Sequence, residues 1–555
     1  MKSNRRSFLQ KLGMGAAGLG ITSTPLSVFS READRREKYG SDQLLFIGDD
    51  IAIASTTYGK VRGYILRDIY TYLGIPYGAE TSGQNRFMPP QKPTPWTDTK
   101  STVWWGNSAP QNLERRYADP NASFLDHWNY DDVSENCLTL NVWTPSINDN
   151  KKRPVLVWLH GGGFTAGNSH EQDGYNGENL SRFGDIVFCS VNHRLGPIRF
   201  SNFAGVGGDK FAASGNVGML DIVAALEWVK DNISNFGGDP SNVTIMGQSG
   251  GGAKVCNLTA MPSGQGLFHK AVALSGSSAR SGNKDMSEKL GAYILKEAGL
   301  SASQLDQLQQ MPWQQYYELA NRAGRKLREE SGNAAGAPAG GFGPVVDGFY
   351  LPQHPFSPAA SPLANNVPMI LCSTFYESSP SRYDAKLENI SLAEVKEKLK
   401  DRFKEKTGAI VDAYVQTFPS KKPVEIWTLI TSNRQSLVTV ADAKSKQKAP
   451  VYTAWFGWLP PLFNNRLRAF HCSDICFWFY NTDVMLTHTG GGSRPKKLST
   501  KMAGSLIRFM KTGNPNGGGL PDWKNYSSLN GETMVLDDNP VLKNNPDGPA
   551  RKMLA

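Results

Sequence analysis

Cysteine is scarce and unpatterned, with six in 555 residues. Cys472 and Cys476 lie near His471, but no second cysteine or histidine pair at ligand spacing accompanies them, so no metal is expected. Charge of one sign is not in large excess either. The formal net charge is +10, and taking away the four cations of residues 1–30 leaves about +6. No long basic run with interleaved aromatics is present, which argues against nucleic acid as a partner. Long apolar runs are missing too: the stretch from Leu12 to Leu26 is short and glycine-rich, so no stable membrane anchor is expected. There is no short-period repeat.

What is present begins at the N-terminus. Asn4-Arg5-Arg6-Ser7-Phe8-Leu9-Gln10-Lys11 leads the mildly apolar stretch and resembles a twin-arginine export signal over residues 1–30, with no clean cleavage site near Val28-Phe29-Ser30. Residues 31–44 read as a charged, solvated linker. Residues 45–555 read as a single catalytic domain, a length that large α/β folds commonly reach. An exported, periplasmic or extracellular protein is expected. Such signals carry proteins that fold before export in a reducing cytoplasm, so Cys137, Cys189, Cys256, Cys372, Cys472 and Cys476 are expected as free thiols, mostly buried.

The chemistry is carried by two glycine-rich turns. Val243-Thr244-Ile245-Met246 reads as a strand that enters Gly247-Gln248-Ser249-Gly250-Gly251, the G-x-S-x-G pattern of a strand-to-helix turn that projects a nucleophilic serine. Glycines on both sides let the chain bend that tightly. Upstream, the strand-like run Pro154 to Leu159 enters His160-Gly161-Gly162-Gly163-Phe164, an H-G-G-G pattern. Consecutive glycines leave backbone N–H groups open to a developing oxyanion, and the expected donors are Gly162, Gly163 and Gly250. A phosphate cradle is the rival reading, but no Gly-Lys-Ser/Thr follows and Phe164-Thr165-Ala166 supplies no cation.

Several longer motifs, in order, make the resemblance specific. They are Gly74-Ile75-Pro76-Tyr77-Gly78, Glu135 to Val142, Gly215-Asn216-Val217-Gly218, Asn235 to Pro240, Val346-Asp347-Gly348 and Thr512 to Asn516. From about Gly59 onward the chain resembles the type-B carboxylesterase/lipase family, the cholinesterase-like α/β-hydrolases, in its bacterial para-nitrobenzyl-esterase-like form. The resemblance implies an α/β-hydrolase fold: a mostly parallel central sheet flanked by helices, with long loop insertions over the active site. It implies His471, in Ala469-Phe470-His471-Cys472-Ser473-Asp474, as the base, and Glu377 as the acid that orients it. Asp474 is the nearest rival for the acid. The other histidines, His127, His170, His193, His269, His354 and His488, are expected to be structural or superficial, and His160 to belong to the oxyanion loop.

The chain departs from the family in four places. Gln248 precedes the nucleophile where most relatives have Glu, removing a negative charge near the imidazole. Gly250 replaces the usual alanine. Tyr376-Glu377-Ser378 stands where an Asp-Glu-Gly motif is usual. Cys137 matches half of a family disulfide, but Ala109 occupies the partner position, so that bridge cannot form.

These readings converge on a serine hydrolase that cleaves carboxylic esters through an acyl-enzyme. It needs no cofactor and takes a small-molecule ester as its partner. An amidase, carbamate hydrolase or lactonase using the same triad is the alternative, as is a binding protein that has kept only the scaffold. Substrate contacts are unassigned. Trp104 to Asp132 and Arg322 to Pro344 read as loops long enough to cover a pocket. Trp104, Trp105, Trp128, Trp455, Phe456 and Trp458 are candidate pocket aromatics, with core packing the stronger expectation for each.

Overall fold

The structure is a computed structural model that describes residues 42–112, 132–331 and 341–554. The chain divides into Met1–Phe46 and Ile47–Ala555. In the first unit the described residues hold one short strand, Leu45–Phe46. The expected export signal and nearly all of the expected linker lie outside the described residues.

The second unit is organised by a large sheet. In chain order its strands are β1 (Tyr64–Leu66), β2 (Ile69–Pro76), β3 (Thr139–Thr144), β4 (Arg153–Leu159), β5 (Val187–Val191), β6 (Gly238–Gln248), β7 (Lys270–Leu274), β8 (Met369–Thr374), β9 (Val451–Phe456), β10 (Glu532–Leu536) and β11 (Val541–Asn544). In space they run β1, β2, β3, β5, β4, β6, β7, β8, β9, β10, β11. Every pair from β5 to β10 is parallel. The flanking pairs are antiparallel. A small separate sheet joins Ile53–Thr56, Gly59–Arg62 and Lys100–Ser101.

The parallel strands are continuous apolar runs because both of their faces are covered. All seven residues of β4, all five of β5 and all six of β8 are buried. Helix α1 (Val217–Asn232) supplies part of that cover and is itself buried nearly all round. It carries Asp221, which is fully buried and accepts from Arg194 Nη2 at 2.6 Å and Nε at 2.9 Å. The same arginine donates to the Met88 carbonyl, so one buried ion pair ties α1 to the segment after β5 and to the segment between β2 and β3.

One loop expectation is corrected. Arg322–Glu330 is helical, the end of α2 (Trp313–Glu330). Tyr316, Leu319, Ala320, Ala323 and Leu327 recur at three- and four-residue spacing and are buried, a helical period that the charged residues between them obscure. Residues 332–340 lie outside the described residues. In the other expected loop, 104–112 and 132 hold no helix or extended strand, while 113–131, with His127 and Trp128, are outside the description.

All six cysteines are free thiols, five of them buried and Cys472 partly so. Cys137 lies two residues ahead of β3. Among the described residues no helix is long and apolar enough to cross a membrane.

Candidate active site

β6 ends at Gln248 and helix α3 (Gly250–Leu258) starts at Gly250, so Ser249 alone turns the backbone. It does so at φ 55°, ψ −122°. A non-glycine residue in that region stores about 1–3 kcal/mol that the surroundings must hold. They hold it through the backbone: Ser249 N–H donates to Leu274 at 2.8 Å, and the Ser249 carbonyl accepts from Ala253 N–H at 3.1 Å. The Ser249 hydroxyl has no hydrogen-bond partner among the described residues.

The neighbouring glycines are required by close approach. A Cβ at Gly251 would stand 2.0 Å from the Leu159 carbonyl oxygen, and one at Gly250 would stand 1.9 Å from that of Gly163. The loop of residues 160–164 therefore rests directly on the start of α3, closer than an alanine at position 250 allows. Gly162 and Gly163 take φ 78° and 64°. The Gly162 carbonyl accepts from Thr165 and Ala166 N–H at 3.2 and 3.1 Å, which closes the turn. The N–H groups of Gly162 and Gly163 have no acceptor among the described residues, and that of Gly250, first in its helix, has no intrahelical one. Gly163 and Gly250 thus lie against one another, with the Gly250 N–H at the positive end of the helix that follows Ser249.

Beneath the loop lies a buried basic cluster that sequence reasoning missed. Lys254 Nζ donates to the His160 carbonyl at 2.9 Å, tying α3 to the end of β4. Burial, with Arg199 nearby, holds the Lys254 amine well below the usual lysine range. The His160 ring stacks on His193 with centroids 4.6 Å apart, and burial beside Lys254 and Arg199 keeps both rings neutral. The one signal in the sequence was a lysine inside an otherwise small and apolar helix.

Base and acid come from distant segments brought together by backbone pairing. Tyr376 N–H donates to Ala469 at 3.1 Å, and His471 N–H to the Glu377 carbonyl at 3.3 Å. This sets His471 Nδ1 at 2.5 Å from Glu377 Oε2. Glu377 is buried, and Thr374 N–H at the end of β8 donates to its other oxygen at 3.0 Å. A carboxylate only accepts, so Nδ1 carries the ring proton and Nε2 presents a lone pair. That lone pair faces Gln248 Nε2 at 3.1 Å. Burial lowers the imidazole pKa, but the Glu377 charge and hydrogen bond, with Asp474 behind, outweigh it and leave the ring above its ordinary value. Cys472, next to the base, takes φ 74°, so both the expected nucleophile and the neighbour of the expected base sit in strained backbone.

Asp474 does not compete for the ring. It is fully buried and accepts from Trp478 Nε1 at 3.2 Å. Burial and the charge of Glu377 push its carboxyl up to about 7. Trp455, Phe456 and Trp458 are core residues. Trp105 stacks on His170, and Trp104 is largely exposed. Among the described residues no group of three or more His, Cys, Asp or Glu could hold a metal ion.

Comparison with known proteins places the chain in one family. The profile of the Carboxylesterase family matches residues 50–552. The para-nitrobenzyl esterase of Bacillus subtilis (strain 168) is 31% identical over 517 residues, covering 90% of this chain and 98% of that protein. Human cocaine esterase is 30% identical, covering 86% of each chain. Among solved structures, an esterase from anaerobic Clostridium hathewayi described as hydrolysing aliphatic aromatic polyesters superposes with a TM-score of 0.78 at 33% identity, covering 92% of this chain and 98% of that one. A carboxylesterase from Geobacillus stearothermophilus gives 0.74 at 28% identity, covering 91% and 100%.

Proposed function

This chain belongs to the carboxylesterase family, has the α/β-hydrolase fold and is a serine carboxylesterase, and we propose that Ser249, His471 and Glu377 carry its chemistry. The observation that carries the assignment is the 2.5 Å contact of His471 with Glu377, with the ring's Nε2 turned to the end of the strand that bears Ser249. Ser249 Oγ attacks the ester carbonyl as its proton passes to His471 Nε2. Glu377 holds the ring and stabilises the imidazolium. The tetrahedral oxyanion lies against the N–H groups of Gly162, Gly163 and Gly250. His471 then returns the proton to the departing alcohol, leaving an acyl-Ser249. Water attacks that acyl carbon by the same route, releasing the acid and restoring the serine.

The test is direct. Ser249→Ala should lower kcat on a chromogenic ester by roughly 10⁴-fold or more while the fold persists, with residual turnover from the oxyanion donors. An organophosphonate should label the wild type at Ser249 and leave the variant untouched. Near-normal turnover in the variant would refute the assignment. The names of the relatives, a para-nitrobenzyl esterase and an esterase that hydrolyses aliphatic aromatic polyesters, set the first panel for the acid and alcohol preference of this chain.

We further propose that the protein is exported through the twin-arginine-type signal of residues 1–30. Arg5-Arg6 ahead of a short apolar stretch supports it, as does a fold whose six thiols are all free.

A further inference from the structure

The residue before the nucleophile is in hydrogen-bond contact with the base itself. Gln248 is almost fully buried. Its Nε2–H donates to His471 Nε2 at 3.1 Å, the atom that must take the Ser249 proton. Its Oε1 is buried and has no hydrogen-bond partner among the described residues. The orientation follows from the neutral ring: with Nδ1–H donated to Glu377, its Nε2 is an acceptor and a donor faces it. Three consequences follow from this one contact. The lone pair of the base is occupied in the resting enzyme, the hydroxyl of Ser249 is left unbound, and the neutral form of the imidazole gains a hydrogen bond that the imidazolium lacks.

On this basis, and resting on the roles assigned above to Ser249 and His471, we propose that Gln248 is a positioning residue that holds the base neutral and competes with Ser249 for His471 Nε2. The amide yields that lone pair when substrate presses the serine forward. It also extends the working range of the enzyme to lower pH. A glutamate at position 248 would do the reverse. It would offer only an acceptor, set an anion beside the ring, and favour the protonated, inactive imidazolium. The other charged groups facing the ring are Glu377, from the segment after β8; Asp474, on the ring's own segment; and Arg382, packed from the segment that follows Glu377. None of these differs between the variants that test the proposal.

The experiment compares the intact enzyme with Gln248→Met and Gln248→Glu, following kcat/KM on a soluble ester between about pH 5 and pH 9. Methionine keeps the volume and removes the donor. Glutamate replaces it with an anion. The acid limb should move to higher pH by about half a unit in Gln248→Met and about one unit or more in Gln248→Glu. At about pH 6 the rate relative to each plateau should then fall roughly threefold and tenfold, respectively. A merely structural role would lower the plateau and leave the limb in place, and that result overturns the proposal. A limb that moves in Gln248→Glu alone overturns it as well, since any added anion would do so. Should Gln248→Glu fail to fold, Gln248→Met decides. Organophosphonate labelling of Ser249 in the wild type separates this outcome from the underlying assignment: labelled serine with unmoved limbs defeats the role of Gln248 only, and absence of labelling defeats the triad.

Discussion

His471 is held between a carboxylate on one ring nitrogen and an amide on the other, and the two pull its protonation in opposite directions. Glu377 and, behind it, Asp474 stabilise the imidazolium, and together they leave the pKa raised despite burial. Acyl transfer needs the neutral ring, because only the free lone pair can accept the serine proton. Activity should therefore rise with pH, with a midpoint above the reference value of about 6.5. Asp474 titrates near the same range, at about 7, so the limb should be broader than a single ionisation. Asp474→Asn should sharpen it and shift it to lower pH, because one anion behind the ring is lost. The kcat/KM profile of both proteins checks this. A flat wild-type profile through that range would remove His471 from the mechanism.

At the scale of elements, the site depends on how closely three backbones meet. The end of β4, the oxyanion loop and the start of α3 are in contact without side chains between them. The strain at Ser249 is sustained by this packing and by the bond from Ser249 N–H to Leu274 on β7. Gly251 is the tightest point toward β4, since a Cβ there would meet the Leu159 carbonyl at 2.0 Å. Gly251→Ala should destabilise the protein by about 1–3 kcal/mol through overpacking. It should also lower kcat more than it raises KM, because the displaced strand end carries the oxyanion loop. Thermal midpoints and steady-state kinetics on purified protein test both parts, and a variant with unchanged midpoint and kcat would show that the elbow tolerates a side chain.

For the whole molecule, the proposed route out of the cell and the free thiols belong together. A chain exported after folding meets a reducing environment first, so its stability must come from packing and buried ion pairs such as Arg194–Asp221 rather than from bridges. Replacing Arg5 and Arg6 together by lysine should leave active esterase in the cytoplasm of the producing cell, and the thermal midpoint of the wild type should be the same with and without reductant. Cell fractionation with an activity assay reads the first outcome, and a thermal scan the second. Export of the double variant at the wild-type level would set the signal reading aside.

Much of this protein could be read along the chain. The strands β4, β5, β6 and β8 announce themselves as apolar runs because a parallel sheet is buried on both faces, and the two glycine turns follow β4 and β6, where the backbones approach too closely for a Cβ. Ser249 and the three glycines proposed as oxyanion donors are legible for that local reason. The order of the longer motifs added His471 and Glu377, whose separation in sequence hides their contact. Only the folded backbone decides that contact, through the pairing of 376–377 with 469–471. Helix α2 was obscured by its many charges, which carry no period, while the residues that define it show theirs only once buried. The stack of His160 on His193, the buried Lys254 and the amide of Gln248 against the base were likewise settled in three dimensions. Their partners come from separate elements, and a hydrogen bond between distant residues leaves no local pattern of hydropathy or spacing by which to find it.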